Sequence, residues 1–393
     1  MNAKQALNSV RAPDEQAAEE RAWDAVRSAY QERKPRVRRR GLGGPAAVLS
    51  ATLAVAGVAA LSPAGATVGH LVGRALRTKV ALKKAVRAPV RAQALVTDET
   101  QNRLLVADLP SGRIVRSVSV PADPEDIAAS GNGGVIIVVS SRAGEVTILS
   151  RDTLKVLKTF AGFEQPHIVA TSPDGVYAYV TDDARGTLTV IRLTDMRITS
   201  TVSVGVGAHH LGFSPNERTI WVALGENATQ ITALSTVTSR PPGTPRTDLG
   251  HPRVVGHFAP GFPAHDLAFS PDGRAIWVTS ASGPDVTAFD ARSHRVLFHV
   301  EVGPPPQHLD FQGRYAYLTS GYGSTIEKVD AATGRVVARA SAPYGSFELS
   351  AADGFVVTTS LLRGTLAVYT PGLKLLHVAR LAPEAREVAI SRP

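Results

Sequence analysis

Five histidines recur at one position of a repeated cassette, and imidazole is the side chain best suited to bind a ligand near neutral pH. The seven cassettes read Pro124-Glu-Asp-Ile-Ala-Ala-Ser, Pro166-His-Ile-Val-Ala-Thr-Ser, Ala208-His-His-Leu-Gly-Phe-Ser, Ala264-His-Asp-Leu-Ala-Phe-Ser, Pro306-Gln-His-Leu-Asp-Phe, Gly345-Ser-Phe-Glu-Leu-Ser and Ala385-Arg-Glu-Val-Ala-Ile-Ser. His167, His209, His210, His265 and His308 stand near the start of four consecutive cassettes, and Asp126 and Asp266 occupy matching positions. Neutral imidazoles bind divalent metals and protonated ones bind anions, so a shared site of either kind would be pH-dependent. Cysteine is absent, which removes thiolate ligands, thiol nucleophiles and disulfides. No two-His motif of short spacing identifies a metal, and a divalent ion is one candidate ligand beside an anionic one. No nucleophile elbow, P-loop or dinucleotide fingerprint occurs, and Ser172, Ser214 and Ser270 belong to turn sequences. A hydrolase site at the mouth needs a carboxylate, a histidine and an arginine, and Asp266, His308 and Arg386 are one such triple among others.

The elements that must position these residues follow from the repeat. The anchors read as Ile127, Ile168, Leu211, Leu267, Leu309, Phe347 and Val388, with spacings of 41, 43, 56, 42, 38 and 41 residues. A period near 42 with several short strands per unit specifies a β-propeller blade. In the unit at His167 the expected strands are His167–Ser172, Val176–Thr181, Thr187–Arg192 and Ile198–Val204, with period-2 alternation and a Pro-Asp-Gly turn at residues 173–175. The last cassette has only two residues after it, so Glu387–Ser391 can supply only one strand. Ala94–Asp98, Arg103–Asp108 and Ile114–Val120 supply the other three, and the two ends of the chain close one blade. Closure removes exposed sheet edges. The fold class is therefore all-β, a seven-bladed propeller over 92–393, preceded by a helical segment and one membrane-spanning helix. The long fourth unit places its extra residues within Ser235–Gly256, a proline-rich surface loop between the third and fourth strands.

Charge divides the chain. Residues 1–91 carry a net +11 and residues 92–393 a net −2, so the propeller lacks the basic surface that nucleic-acid binding needs. Residues 1–40 form a polar segment with a helix expected from Pro13, and Trp23, Val26 and Tyr30 are its candidate partner-binding residues for a cytoplasmic protein. Residues 41–61, uncharged and apolar, have the length of a membrane span. The arginines from Arg33 to Arg40 favour an inside N-terminus and an outside propeller. Ala64-Gly65-Ala66 offers the alternative of cleavage near Ala66 and secretion. Residues 62–91 form a basic, amphipathic stalk.

Tyr179-Val-Thr-Asp182, Trp277-Val-Thr-Ser280 and Tyr317-Leu-Thr-Ser320 resemble the core of the YVTN-type propeller repeat. Ser172-Pro-Asp-Gly175 and Ala332-Thr-Gly-Arg-Val-Val337 resemble its turns. The resemblance implies a propeller and often a place in the cell envelope, and no particular activity. Ala17-Ala-Glu-Glu-Arg-Ala-Trp-Asp-Ala-Val26, with Leu61, Ser62 and Pro63, is similar to actinobacterial membrane propeller proteins associated with sigma-factor regulation. The expected function is a membrane-tethered, non-enzymatic binding scaffold for an envelope protein or small ligand, without a required cofactor. A lactonase-like hydrolase or lyase at the histidine-rich mouth and sigma-factor-linked signalling through the head are the alternatives.

Overall fold

A computed structural model describes residues 92–225, 228–238 and 246–391. The expected helix, span and stalk, with Trp23, Val26 and Tyr30, lie outside the described residues. Among the described residues no helix is long and apolar enough to cross a membrane.

Seven four-stranded antiparallel sheets follow one another along the chain. Each is a blade whose strands A to D run from the innermost outward. In blade 3 they are Pro166–Thr171, Tyr177–Asp182, Thr187–Arg192 and Arg197–Ser203, within one residue of the boundaries read from the sequence. The innermost strands lie against one another in sequence around a closed ring. Blade 1 takes strands B to D from Gln93–Asp98, Arg103–Asp108 and Arg113–Ser119, and its strand A from Ala385–Ser391. Gln93 pairs with Ser391 and Leu95 with Ala389 across that seam. Arg151 of blade 2 is buried behind it and donates from Nε to Ser391 Oγ at 2.9 Å and from Nη1 to Gln93 Oε1 at 3.3 Å.

The core is divided into seven apolar clusters, one between each pair of neighbouring blades. Each sheet therefore buries both faces. This corrects the expected period-2 alternation: strand B of blade 2, VIIVVS, is buried through five consecutive residues. Only the outermost strands keep an exposed face, as in Arg113–Ser119. Sheets covered on both sides read as continuous apolar runs for the same reason in any fold. Tyr179, Trp221, Trp277 and Tyr317 are buried in these clusters, and the Trp277 ring meets Phe298 and Phe311 edge-on at 5.3 and 5.8 Å.

Two anchors differ from the sequence reading. Val169, not Ile168, pairs with Val180, and Leu349, not Phe347, pairs with Thr358. With those replacements the first two spacings are both 42 residues. A register shift interrupts the start of the inner strand in blades 2, 3, 5 and 7 and in the blade 1 pairing, and the anchors of blades 1, 2 and 5 stand as read despite it.

The turn serines behave as read. Ser172, Ser214 and Ser270 Oγ each accept the backbone N–H five residues on, at 3.0, 3.0 and 2.9 Å. The insertion in blade 4 is less of a free loop than its prolines suggested. Val237–Thr238 pairs with Arg246–Thr247, and the following segment folds back onto blade 3. There Tyr179 Oη donates to Leu249 O at 2.6 Å, while Thr199 and Ser200 hydroxyls donate to Gly250 O at 2.9 and 2.8 Å.

Candidate functional site

The register shift at the start of the inner strand in blades 1, 2, 3, 5 and 7 changes which side chains enter the channel. In a regular strand consecutive residues face opposite ways. Here side chains from both positions before the anchor meet at the mouth, as Glu125 with His167 and His209 with His210 show. The residue directly before the anchor is Asp126, Ile168, His210, Asp266, His308, Glu348 and Glu387 in blades 2 to 7 and then 1. The residue before that is Glu125, His167, His209, His265, Gln307, Phe347 and Arg386. The turns framing this end are tight. Gly186 has φ +63°, and a Cβ there would lie 2.4 Å from the carbonyl carbon of Gly205.

All five expected histidines meet at this mouth. The ring centroids of His210, His265 and His308 form a nearly equilateral triangle, with separations of 5.0, 4.9 and 4.8 Å. His265 Nε2 and His308 Nε2 are 3.1 Å apart in a buried setting. His209 lies 4.9 Å from His265 and 5.0 Å from His210, and stacks on His167 at 3.9 Å. Ligand atoms within each of the sets His167, His209, His210 and His210, His265, His308 lie within 4.8 Å of one another.

Carboxylates hold four of the five rings by the same nitrogen. Nδ1 of His167 is 3.2 Å from Glu125 Oε1, that of His209 3.2 Å from Asp183 Oδ2, and that of His210 3.2 Å from Asp266 Oδ1. His308 Nδ1 is 2.8 Å from Glu348 Oε2 and 4.0 Å from Asp266 Oδ2. A carboxylate on Nδ1 fixes that proton in place and turns Nε2 outward, with a lone pair wherever the ring is neutral. His265 Nδ1 is buried and has no partner.

Asp126 and Asp266 have a structural task beside any contact with a ligand. Asp126 accepts the N–H groups of Ile127 and of Val169 in the next blade. Asp266 accepts Leu267 N at 2.7 Å and Leu309 N of the next blade at 3.1 Å. Each latches two blades together. Glu99, Glu125, Asp183, Glu348, Arg386 and Glu387 complete the mouth and were not among the candidate ligands. Arg386 was visible only as a member of the hydrolase triple, and that triple is not assembled. The Arg386 guanidinium is held by Glu99 at 3.1 Å and Glu125 at 2.5 Å rather than by Asp266 or His308.

Burial and pairing set the charges. Burial raises Glu125, but the His167 imidazole and Arg386 guanidinium outweigh it and hold the carboxyl at about 2. Burial acts likewise on Asp266, which His210 and its hydrogen bond bring down to about 2. Burial alone would depress His210, but Asp266, Glu348 and Asp126 raise it to about 9. Burial and the neighbouring His167 depress His209 to about 4 despite Asp183, while burial and His308 push His265 well below the usual histidine range. Burial raises Asp126 to about 6. Burial beside Glu348 and Asp126 pushes Glu387 well above the carboxylate range.

Comparison with known proteins gives the fold. No protein-family model matches the chain, and no curated protein matches it. A functionally unknown protein from Desulfotomaculum acetoxidans is similar in structure with a TM-score of 0.65 and 15% identity, over 77% of this chain and 99% of that one. Kuenenia stuttgartiensis hydrazine synthase matches with a TM-score of 0.59 and 15% identity, over 71% and 92%. Apo AztD from Citrobacter koseri matches with a TM-score of 0.57 and 11% identity, over 77% and 99%. At these identities the likeness is one of architecture, and the seven-bladed propeller is the statement it supports. Function rests on the mouth.

Proposed function

We propose that this chain is a binding module whose receptor site is the histidine-lined mouth of the propeller. One observation carries the reading. Five imidazoles converge at one end of the channel, and carboxylates orient four of them so that the free nitrogen faces away from its own support. Orienting partners of this kind preorganise a site for a ligand.

A hydrolytic reading has less support. The turn serines lie at the far end of strand A and are occupied in hairpins. The guanidinium that would stabilise a developing oxyanion is committed to Glu99 and Glu125. In the fuller form of the proposal the blades are of YVTN type. Residues 41–61 tether the propeller outside the membrane, and residues 1–40 meet a cytoplasmic partner.

The test is a thermal-shift screen of the purified chain against small polar ligands and divalent ions, run beside a lactone-turnover assay. A ligand should raise the melting temperature of the parent and leave His210→Ala unshifted, with no lactone consumed. Lactone turnover abolished by His308→Ala would replace this reading with the enzymatic one.

A further inference from the structure

We propose that His210, His265 and His308 form a three-imidazole site for one divalent transition-metal ion of the zinc class, oriented by Asp266 and Glu348. The proposal deepens the reading of the mouth as a receptor site and rests on it.

Spacing is the first argument. Two nitrogens bound to a tetrahedral ion at about 2.0–2.1 Å each lie about 3.3 Å apart. His265 Nε2 and His308 Nε2 stand 3.1 Å apart, with a ligand atom of His210 within 4.8 Å of the others. The tautomers supply the second. The proton on His308 Nδ1 is taken by Glu348 at 2.8 Å, so its Nε2 presents a lone pair to His265. Two imidazole nitrogens facing each other are joined by a shared proton or by a metal. A shared proton leaves the buried His265 Nδ1 an acceptor without a donor and a metal leaves it a donor without an acceptor, so this atom admits either occupant and the spacing carries the metal.

Charge gives the third argument. The carboxylates of Glu125, Asp183, Asp266 and Glu348 stand beside the imidazoles and outnumber the His210 cation, while Arg386 is already paired with Glu99 and Glu125. That field favours a cation over an anion. Donor type selects among cations. Imidazole suits zinc, copper and nickel, whereas calcium and magnesium require oxygen ligands. Asp266 and Glu348 bond Nδ1 of His210 and His308, the arrangement by which carboxylates fix and strengthen metal-bound imidazoles. Three protein ligands leave the fourth position to water or to a donor from a partner, which suits an exchangeable ion.

The experiment uses the full chain in mild detergent, stripped with EDTA. Zinc chloride is titrated by calorimetry, and cobalt is added separately to follow its visible absorption. The expected result is one zinc per chain with a Kd of about 1 µM or tighter, and tetrahedral cobalt bands. Millimolar calcium or magnesium should give no heat. His265→Ala and His308→Ala should each weaken zinc by about 100-fold or more, and Glu348→Gln by about 10- to 100-fold. His251→Ala, at an exposed histidine paired with Asp248, should change nothing. Should a histidine variant fail to fold, the stripped and zinc-loaded parent still decide the matter, since a bound ion must raise the melting temperature. Absence of zinc binding at 100 µM in the parent, about a hundred times the expected Kd, overturns the proposal, as does affinity unaffected by His265→Ala. If the parent ignores metals yet a small polar molecule stabilises it through His210, the receptor reading survives and the metal assignment falls.

Discussion

On one side of the mouth, blades 3 to 6 place His167, His209, His210, His265 and His308 at the start of their inner strands. On the other, blades 7, 1 and 2 place Glu348, Arg386, Glu387, Glu125 and Asp126 at the same two positions. Both sides build the mouth from the same two positions of strand A, and the side chains placed there separate them. The acidic side contains the seam between the chain's two ends, and its charges answer one another: Arg386 reaches back to Glu99 in blade 1 and across to Glu125 in blade 2. The histidine side has no seam and is not saturated. His265 keeps an unpartnered buried nitrogen, and His265 and His308 turn the same ring atom toward each other. One half of the ring holds the fold closed, and the other holds donors in readiness.

The largest effect should come from opening the seam. Deleting residues 385–393 removes strand A of blade 1 and leaves Gln93–Asp98 as an unpaired edge. It also strips Val388 and Ala385 from the cluster between blades 7 and 1. The truncated chain should aggregate or lose its cooperative melt. A truncated protein with the parent's melting temperature would show that the two sides do not differ in this way. A smaller effect separates the halves by single substitutions. Arg386→Ala leaves Glu99 and Glu125 half-buried without their cation and should cost about 2–4 kcal/mol in denaturant unfolding, at the lower part of the range because the pair is not fully buried. His265→Ala removes a ring whose Nδ1 bonds nothing and should cost about 1–2 kcal/mol, mostly lost packing. Equal losses would erase the distinction.

Much of this was legible in residues. Glu387–Ser391 could be assigned to blade 1 because two residues cannot make three strands. The histidines could be grouped because their cassettes align. Glu348 was hidden because the apolar Phe347, two residues before the anchor Leu349, reads as an anchor itself, so Glu348 fell outside the candidate column. Glu125, Arg386 and Glu387 stood in the right column, but their charges gave no sign of facing one another across the seam. Asp183 lies in a turn between strands B and C, where no repeat marks it, and only the fold brings it to His209. Continuous burial on strand B was masked by the habit of reading alternation, which holds only where one face of a sheet meets water.

The smallest expected effect is a difference in pH dependence. His209 is held near 4 by burial and by His167, against the pull of Asp183. The unfolded chain binds a proton at this residue below about 6.5, whereas the folded chain resists until about 4. The unfolded state therefore holds more protons across that window, and the stability contributed by neutral His209 is lost as pH falls through it. Asp126 acts in the opposite sense. Burial raises it to about 6, so its contribution is full below its unfolded value near 4 and is lost as pH rises through 6. The acid profile of the parent is the sum of these opposing terms, and subtraction isolates one. His209→Gln keeps a polar side chain beside Asp183 without a titrating ring. The stability advantage of the parent over this variant should shrink by about 2 kcal/mol between pH 7 and pH 4.5, since each unit of pKa displacement is worth about 1.4 kcal/mol. Urea midpoints at pH 7, 5.5 and 4.5 measure it. An advantage that stays constant would mean that His209 takes up its proton as readily folded as unfolded, adding a second charge beside that of His210 as the pH falls below about 6.5.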